Sequence, residues 1–167
     1  MVGPARLLRH LFVRPARSLF PADSLHRIAG MIRTSEAHHR GEIVFALEAD
    51  MSLRDLWRNV SPRQRAVQAF AHLHVWNTVA NNGVLIYLQL ADRRIEIVAD
   101  RGFDRLVSAE QWRGICQLME ERLAAAEPEA AVAEGIAAIT QLLEAHFPRR
   151  PGDADEDELP DEPVILG

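Results

Sequence analysis

The stretch that decides the fold is NNGVLIYLQLADRRIEIVADRG, from Asn81 to Gly102. It predicts a β-strand, a tight polar turn and a second strand. Residues 84–90 are apolar at nearly every position, which is typical of a strand covered on both faces. After a turn at residues 91–93, apolar and polar residues alternate, which is typical of a strand near the edge of a sheet. The stretch therefore predicts an antiparallel hairpin.

A third strand is predicted at residues 42–48, upstream of the hairpin. The helix between them begins with the capping box Ser61-Pro62-Arg63-Gln64. A strand–helix–strand unit of this kind forms a right-handed crossover that joins parallel strands. Further helices are predicted from residue 22 to about Arg40, after Ser108 and after Pro128. The fold class is therefore α/β: a small mixed sheet, one parallel crossover plus one antiparallel hairpin, with helices on both faces.

Charge divides the 167 residues into three regions. Residues 1–21 contain four arginines and no acid, and they predict a basic arm or amphipathic helix that packs on the protein's own surface. Docking to a membrane surface or to a partner is the alternative. Without the acidic residues 153–162 the chain has 17 acids against 19 arginines and is close to neutral, and residues 22–148 predict one α/β domain. Residues 149–167 hold seven of the 24 acids together with prolines and glycine, so we expect an acidic, disordered tail.

Composition argues against several classes of protein. The chain has no lysine, its arginines are scattered, and no glycine-rich phosphate loop is present; this argues against nucleic-acid binding. The single cysteine, Cys116, cannot form an intramolecular disulfide or a thiolate cluster. No apolar run approaches the ~20 residues of a membrane span, and the N-terminus lacks the uninterrupted apolar region of a signal peptide. We therefore expect a cytoplasmic protein, with peripheral association at the inner membrane as the alternative.

The predicted topology gathers polar residues at the two ends of the sheet. The first two strands begin at the same end, and the third strand returns to it. One end should therefore contain Glu42, Asn81, Asn82, Asp100 and Arg101. The opposite end should contain Glu48, Asp50, Asp92, Arg93 and Arg94. Ordinary polarity of sheet ends is the alternative interpretation of both groups, with Asn82-Gly83 serving turn geometry and Asp100-Arg101 forming an ion pair or a cap.

The hairpin sequence resembles that of the TPM domain family, which includes the thylakoid lumen phosphatase-like proteins. The similarity extends to Ser35-Glu36, residues 39–43, Val75-Trp76, Trp112 and residues 146–148. It covers roughly residues 22–148 and suggests a member of bacterial, cytoplasmic type. The resemblance implies a mixed sheet sandwiched by helices, which agrees with the fold predicted from the residues.

The resemblance also implies candidate functions and site residues. A plant member is credited with acid phosphatase activity, and binding of calcium or another divalent cation is associated with the fold. Other members act in the assembly or repair of membrane complexes, and bacterial ones accompany LemA family membrane proteins. By position, Asp100 and Arg101 would be catalytic, Glu42 and Asp100 would hold a metal ion, and four residues would bind a ligand: Asn81, Asn82, Asp92 and Arg93.

Two functional hypotheses follow from these observations. The first is a non-catalytic binding or assembly module associated with a membrane protein complex, and it is favoured because no convincing nucleophile is evident. The second is a divalent-metal-assisted phosphomonoesterase. In that hypothesis Glu42 and Asp100 hold a hard cation through oxygen ligands, Arg101 clamps the phosphate and an ion-activated water attacks it.

Overall fold

The computed structural model describes residues 3–153 and 157–167. Asp155 and Glu156 of the predicted acidic tail lie outside the described residues. The helices and strands follow one another in this order: α1 (Pro4–Leu11), α2 (Ala16–Leu19), α3 (Ala22–Glu36), β1 (Glu42–Glu48), α4 (Leu53–Trp57), α5 (Pro62–His72), β2 (Gly83–Gln89), β3 (Arg94–Ala99), a 3-10 helix (Arg101–Phe103), α6 (Ala109–Ala124), α7 (Pro128–His146) and β4 (Val164–Leu166).

The strands form one mixed sheet in the order β3-β2-β1-β4. Strands β1 and β2 are parallel, and β2 and β3 form the antiparallel hairpin. In this register Glu42 lies opposite Gly83, and the backbone N–H of Asp100 donates to the Gly83 carbonyl over 2.9 Å. The predicted fold class is confirmed, including the parallel crossover through α5.

Helices cover both faces of the sheet. Helices α3, α6 and α7 pack on the face that carries Ile43, Phe45 and Leu47, and α5 packs on the face that carries Val44 and Ala46. All five of these side chains are buried. The two faces explain why β1 and β2 are apolar along their whole length: each residue of these strands meets one helical layer or the other.

The prediction of a disordered tail is wrong for residues 157–167. Val164–Leu166 forms β4, which pairs in parallel with residues 46–48 of β1, and Leu159 is buried in the core beneath α5. The physical reason is the free edge of β1, whose backbone groups need hydrogen-bond partners. A short apolar strand satisfies them even though the sequence around it is acidic.

Helix α3 is shorter than predicted, ending at Glu36 rather than near Arg40. The buried imidazole of His39 accounts for the early end. Its Nε2 lies 2.8 Å from the Ser35 hydroxyl, and its Nδ1 accepts from the backbone N–H of Gly41 over 3.2 Å. These contacts turn residues 37–41 out of the helix and direct the chain into β1.

The basic N-terminal region forms α1 and α2, which lie on the surface of the domain. The Arg6 side chain anchors α1 through an ion pair with Asp92 at 2.8 Å. Residues 1 and 2 of the predicted arm lie outside the described residues. In the part of the chain that the structure describes, no helix combines the length and apolar character that crossing a membrane requires.

Candidate functional site

A cleft of about 630 Å³ opens at the end of the sheet where β1 and β2 begin. Its walls come from the C-terminal end of α3, the first residues of β1, the loop before β2 and residues 157–161 of the tail. The lining side chains are mainly charged, and they are Arg33, Glu36, Arg40, Glu42, Asn82, Arg149, Asp153, Asp157, Glu158 and Asp161, with Val79 and the small residues Ala37, Gly41 and Ala80.

Three carboxylates converge in this cleft. One oxygen from each of Glu36, Asp157 and Asp161 lies within 4.8 Å of the other two. Glu36 is held at the end of α3, where its Oε1 accepts from the backbone N–H of Ile43 over 2.9 Å. The other two carboxylates come from the tail. Burial, followed by the nearby charges of Glu42 and Asp161, raises the pKa of Glu36 to about 9.

Glu42 adds a fourth carboxylate to the wall of the cleft. It is the first residue of β1, it is buried, and its Oε2 accepts from the backbone N–H of Leu159 over 3.2 Å. Burial raises its pKa to about 7, and the charges of Asp157 and Glu158 act in the same direction. The cleft therefore gathers negative charge that is costly for the fold unless protons or a cation compensate it.

Two buried oxygen atoms of the cleft residues accept no hydrogen bond from the described part of the chain. Asn82 is 1% exposed, and its Nδ2 donates to the Arg40 carbonyl over 2.6 Å, which leaves its Oδ1 without a partner. The Oδ1 atom of the buried Asp161 likewise accepts no hydrogen bond from the described residues. Such atoms are rare in folded proteins and call for a missing ligand or water. Carboxylate and amide oxygens are the donors that Ca²⁺ and Mg²⁺ prefer.

Arginines near the cleft compensate this charge only in part. The guanidinium of Arg33 lies 3.8 Å from Asp161, and that of Arg40 lies 3.8 Å from Asp153. Both distances are at the long limit for an ion pair, and both side chains are nearly half exposed. Arg149 also lines the cleft and donates to the backbone carbonyl of Glu36 over 3.0 Å.

The predicted residues at this end of the sheet separate into two groups. Glu42 and Asn82 line the cleft, as described above. Asp100 and Arg101 lie outside it: Asp100 Oδ1 caps the 3-10 helix by accepting from the Arg101 N–H over 2.7 Å, and Arg101 donates to the Asn81 side chain over 2.8 Å. The second oxygen of Asp100 is buried and has no hydrogen-bond partner among the described residues.

Gly83 explains why Asp100 does not join Glu42. The two residues flank Gly83 in the sheet, and the backbone of Val75 packs directly on it. A Cβ atom at Gly83 would lie 2.1 Å from the Val75 carbonyl oxygen. Glu42 and Asp100 therefore lie on opposite sides of β2, two strand spacings or ~10 Å apart, and of the two only Glu42 lines the cleft.

At the opposite end of the sheet, two of the predicted residues, Asp92 and Glu48, are engaged in structural pairs. Asp92 is buried against Arg6, at 2.8 Å, and against His10, at 3.3 Å. Burial alone would raise the pKa of Asp92, but the hydrogen bonds and positive charge of Arg6 outweigh it and lower the pKa. Glu48 accepts from Arg65 over 2.6 Å and from the Tyr87 hydroxyl. Arg93 is exposed in the hairpin turn, with a positive φ of 51°.

Sequence reasoning missed the three carboxylates that converge in the cleft. Glu36 was given no role in a site, although it is one of the positions that carry the family resemblance. Asp157 and Asp161 were assigned to the predicted disordered tail. One signal could have found them: Val164-Ile165-Leu166 is an apolar run of β-branched character that can pair with a sheet edge. Docking of that run brings the acids that precede it to the start of β1.

The fold and the cleft together define a small mixed α/β domain with an acidic, oxygen-lined site at one end of its sheet. The family model of the TPM domain matches residues 13–142. The chain belongs to the TPM domain family, which confirms the resemblance seen in the hairpin. No curated protein matches the chain significantly.

Two solved structures are similar to this one. The BA42 protein from the psychrophilic bacterium Bizionia argentinensis has 26% sequence identity and a TM-score of 0.78, and the match covers 91% of this chain and 99% of BA42. The N-terminal domain of a protein from P. gingivalis has 20% identity and a TM-score of 0.62, with 89% of this chain and 94% of that domain covered. The second likeness concerns the fold alone.

Proposed function

We propose that this chain is a non-catalytic binding module of the TPM type that takes up a divalent cation in the cleft and serves the assembly of a membrane protein complex. One observation carries the proposal: the carboxylates of Glu36, Asp157 and Asp161 converge within 4.8 Å beside the unpartnered oxygen of Asn82. An acidic cluster alone would be ordinary. A buried amide oxygen without a partner in the same cleft is the independent sign of a ligand.

The residues of the cleft fit a hard cation. All the candidate donors are oxygen atoms, as Ca²⁺, Mg²⁺ and Mn²⁺ prefer. Glu36, Asp157 and Asp161 would hold the ion, and Asn82 and Glu42 line the same cleft as further oxygen donors. The ion would supply the positive charge that this end of the sheet lacks. It would also tie the tail to α3, because the ligands come from both.

The non-catalytic part of the proposal is supported by the composition of the cleft. Among the described residues that line it there is no serine, threonine, cysteine or histidine, so a covalent phosphoryl-enzyme step would have to use one of the carboxylates. We propose a membrane protein of the LemA family type, or a membrane complex, as the partner. The support for this partner is the family resemblance.

A metal-assisted phosphatase is the second candidate, and one observation favours it. Arg33 and Arg40 line the same cleft as the carboxylates, and guanidinium groups bind phosphate oxygens well. A bound divalent cation would polarise a phosphoryl oxygen as a Lewis acid. The arginines of this chain would then orient the phosphate and hold its charge.

Calorimetric titration with calcium, magnesium and manganese tests the cation site. We expect saturable binding to the wild type and at least tenfold weaker binding to Asp161→Asn, because that change removes a charged ligand. Glu162→Gln is the matched control, since this neighbouring carboxylate is 66% exposed and does not line the cleft. Equal affinity of the wild type and Asp161→Asn would overturn the proposal.

Hydrolysis of a generic aryl phosphate separates the two candidate functions. The binding-module proposal expects no cation-dependent hydrolysis above that of a boiled sample. A rate that rises with added cation and is lost in both Asp161→Asn and Arg33→Gln would establish the phosphatase. A pull-down from detergent-solubilised membranes tests the partner. In the presence of the cation, the wild-type protein should recover a membrane protein, and the Asp161→Asn variant should recover none.

A further inference from the structure

Helix α1 turns its polar side towards the domain. Arg6 pairs with Asp92 at 2.8 Å and donates to the Val60 carbonyl over 2.8 Å. One turn later, His10 is 3% exposed, and its Nδ1 accepts from the backbone N–H of Met51 over 3.0 Å. Arg6 and His10 are four residues apart, so they share one face of the helix.

The apolar side of α1 faces solvent. Leu8, Leu11 and Phe12 are 54%, 56% and 79% exposed. Leu8 and Phe12 each follow an anchoring residue by two positions, which places them about 200° around the helix from it. A surface helix of a globular protein ordinarily buries its apolar side and exposes its polar side. Here the arrangement is reversed, and contacts with the domain do not account for the apolar residues.

A second exposed apolar pair lies on the neighbouring helix α4. Leu53 and Trp57 are 55% and 72% exposed and are four residues apart, so they lie on the same side of α4. Arg6 of α1 reaches the residues immediately after this helix, with a 3.5 Å contact to the Asn59 side chain. We refer to Leu8, Leu11, Phe12, Leu53 and Trp57 together as the apolar surface.

The charge around the apolar surface is mainly positive, although the exposed Asp50 lies just before α4. Residues 3–20 contain four arginines and no acid, and Arg9, Arg14 and Arg17 of this segment are exposed. Helix α4 and its C-cap contribute the exposed Arg54 and Arg58. The side chain of Asp55 accepts a hydrogen bond from Ser52 at the start of α4. The acidic cleft lies at the opposite end of the sheet, so the molecule has one basic apolar end and one acidic end.

We propose that the apolar surface binds the interface of anionic phospholipid bilayers. Leucine, phenylalanine and tryptophan side chains would enter the boundary between headgroups and acyl chains, and the arginines around them would lie against the lipid phosphates. Charge complementarity selects this occupant over a second copy of the chain. A symmetric dimer would place the same arginine-rich surface against itself, which like charges oppose. The proposal is independent of the cation cleft.

Vesicle co-sedimentation at low and at physiological salt tests the proposal. Two kinds of vesicle serve as probes. One is phosphatidylcholine alone, which is neutral, and the other is phosphatidylcholine with ~30% phosphatidylglycerol, which gives an anionic membrane surface. We expect at least tenfold tighter binding of the wild type to the anionic vesicles, weakened by salt. Leu8→Ser/Phe12→Ser should lose at least tenfold in affinity, and Arg14→Gln/Arg17→Gln should lose the preference for anionic lipid.

Controls separate lipid binding from folding and from the cleft. The altered side chains are exposed, so the melting temperature of each variant should match the wild type. Leu118→Ser, at an exposed leucine of α6, and Asp161→Asn, in the cleft, should both bind vesicles as the wild type does. Absence of wild-type binding to anionic vesicles, or equal binding by Leu8→Ser/Phe12→Ser, would overturn the proposal. So would a stable dimer in solution that Phe12→Ser dissociates.

Discussion

The carboxylates at the two ends of the sheet differ in how closely arginine side chains approach them. At the end where the hairpin turns, Glu48 and Asp92 each have an arginine within 2.8 Å. At the end where β1 begins, Glu36 and Glu42 share a cleft with Asp161, whose arginine partner Arg33 lies at 3.8 Å. Both ends are rich in polar residues, so the number of polar residues does not distinguish a site from structural pairing. The distance from each carboxylate to its arginine partner does distinguish them.

Removal of one carboxylate should therefore have very different effects at the two ends. Asp92→Asn leaves Arg6 and His10 without their negative partner, and we expect a loss of about 3 kcal/mol in the free energy of unfolding, the range measured for breaking buried pairs. In cation-free buffer at pH 8, Asp161→Asn should cost far less or stabilise the protein, because it relieves repulsion. Urea unfolding of both variants measures the difference, and similar losses would contradict it.

A divalent cation should stabilise the wild type through the cleft. At a free cation concentration one hundred times the Kd, binding contributes about 2.7 kcal/mol, which corresponds to a rise in Tm of about 5–10 °C for a chain of this length. Differential scanning calorimetry should show this rise in the wild type and in Glu162→Gln. Asp161→Asn should show little of it. A rise of equal size in all three proteins would place the binding elsewhere.

The pH dependence of stability should also differ between the two ends. The pKa values of Glu36 and Glu42 are raised in the folded state, to about 9 and about 7, so between roughly pH 4.5 and pH 9 the folded state binds more protons than the unfolded one. Their stabilising contribution is complete below pH 4.5 and is lost as the pH rises through those values. Asp92 has a lowered pKa, so its contribution is present at neutral pH and is lost in acid.

In cation-free buffer, the Tm of the wild type should therefore fall between pH 5 and pH 9. Glu36→Gln/Glu42→Gln should flatten this decline, because glutamine does not titrate. Added calcium should also flatten the decline by replacing the lost protons. A Tm of the wild type that increases over this range would contradict the raised pKa values.

The smallest expected effect concerns the tail. Ile165 of β4 is partly buried against the core, and Ile165→Ala should cost about 1 kcal/mol. Because the tail supplies two of the three carboxylates, the same change should weaken calcium binding severalfold even though Ile165 touches no ligand. Ile115→Ala, at a partly buried isoleucine of α6, is the matched control and should leave the affinity unchanged. Equal affinity for calcium in both variants would show that tail docking and cation binding are uncoupled.

The sequence predicts the central sheet well because its signals are local. The apolar run of β2, the capping box at Ser61 and the alternation in β3 each depend on near neighbours, and together they determine the topology. That topology correctly brings Glu42 and Asn82 to the same end of the sheet. Asp100 reaches the same end but does not line the cleft, and the packing of the chain at Val75 on Gly83 is a tertiary feature without a local signal.

Local sequence signals indicate the rest of the cleft only weakly, for related reasons. Asp157 and Asp161 belong to a segment whose composition is typical of disorder, and their position depends on a three-residue strand that is stable only against an existing edge. Glu36 enters the cleft because α3 ends there, and this end is determined by the buried imidazole of His39. Both depend on contacts between residues far apart in the fold.

Paramagnetic broadening by Mn²⁺ tests the cation cleft most directly. In a titration of the isotope-labelled protein, we expect the amide signals of residues 36–37, Asn82 and residues 157–161 to broaden first and to saturate at one ion per chain. The signals of Asp92 and of residues 100–102 should persist at that point. Broadening that begins at Asp100 or Asp92, or that spreads evenly over the acidic surface without saturation, would contradict the claim that this cleft holds the cation.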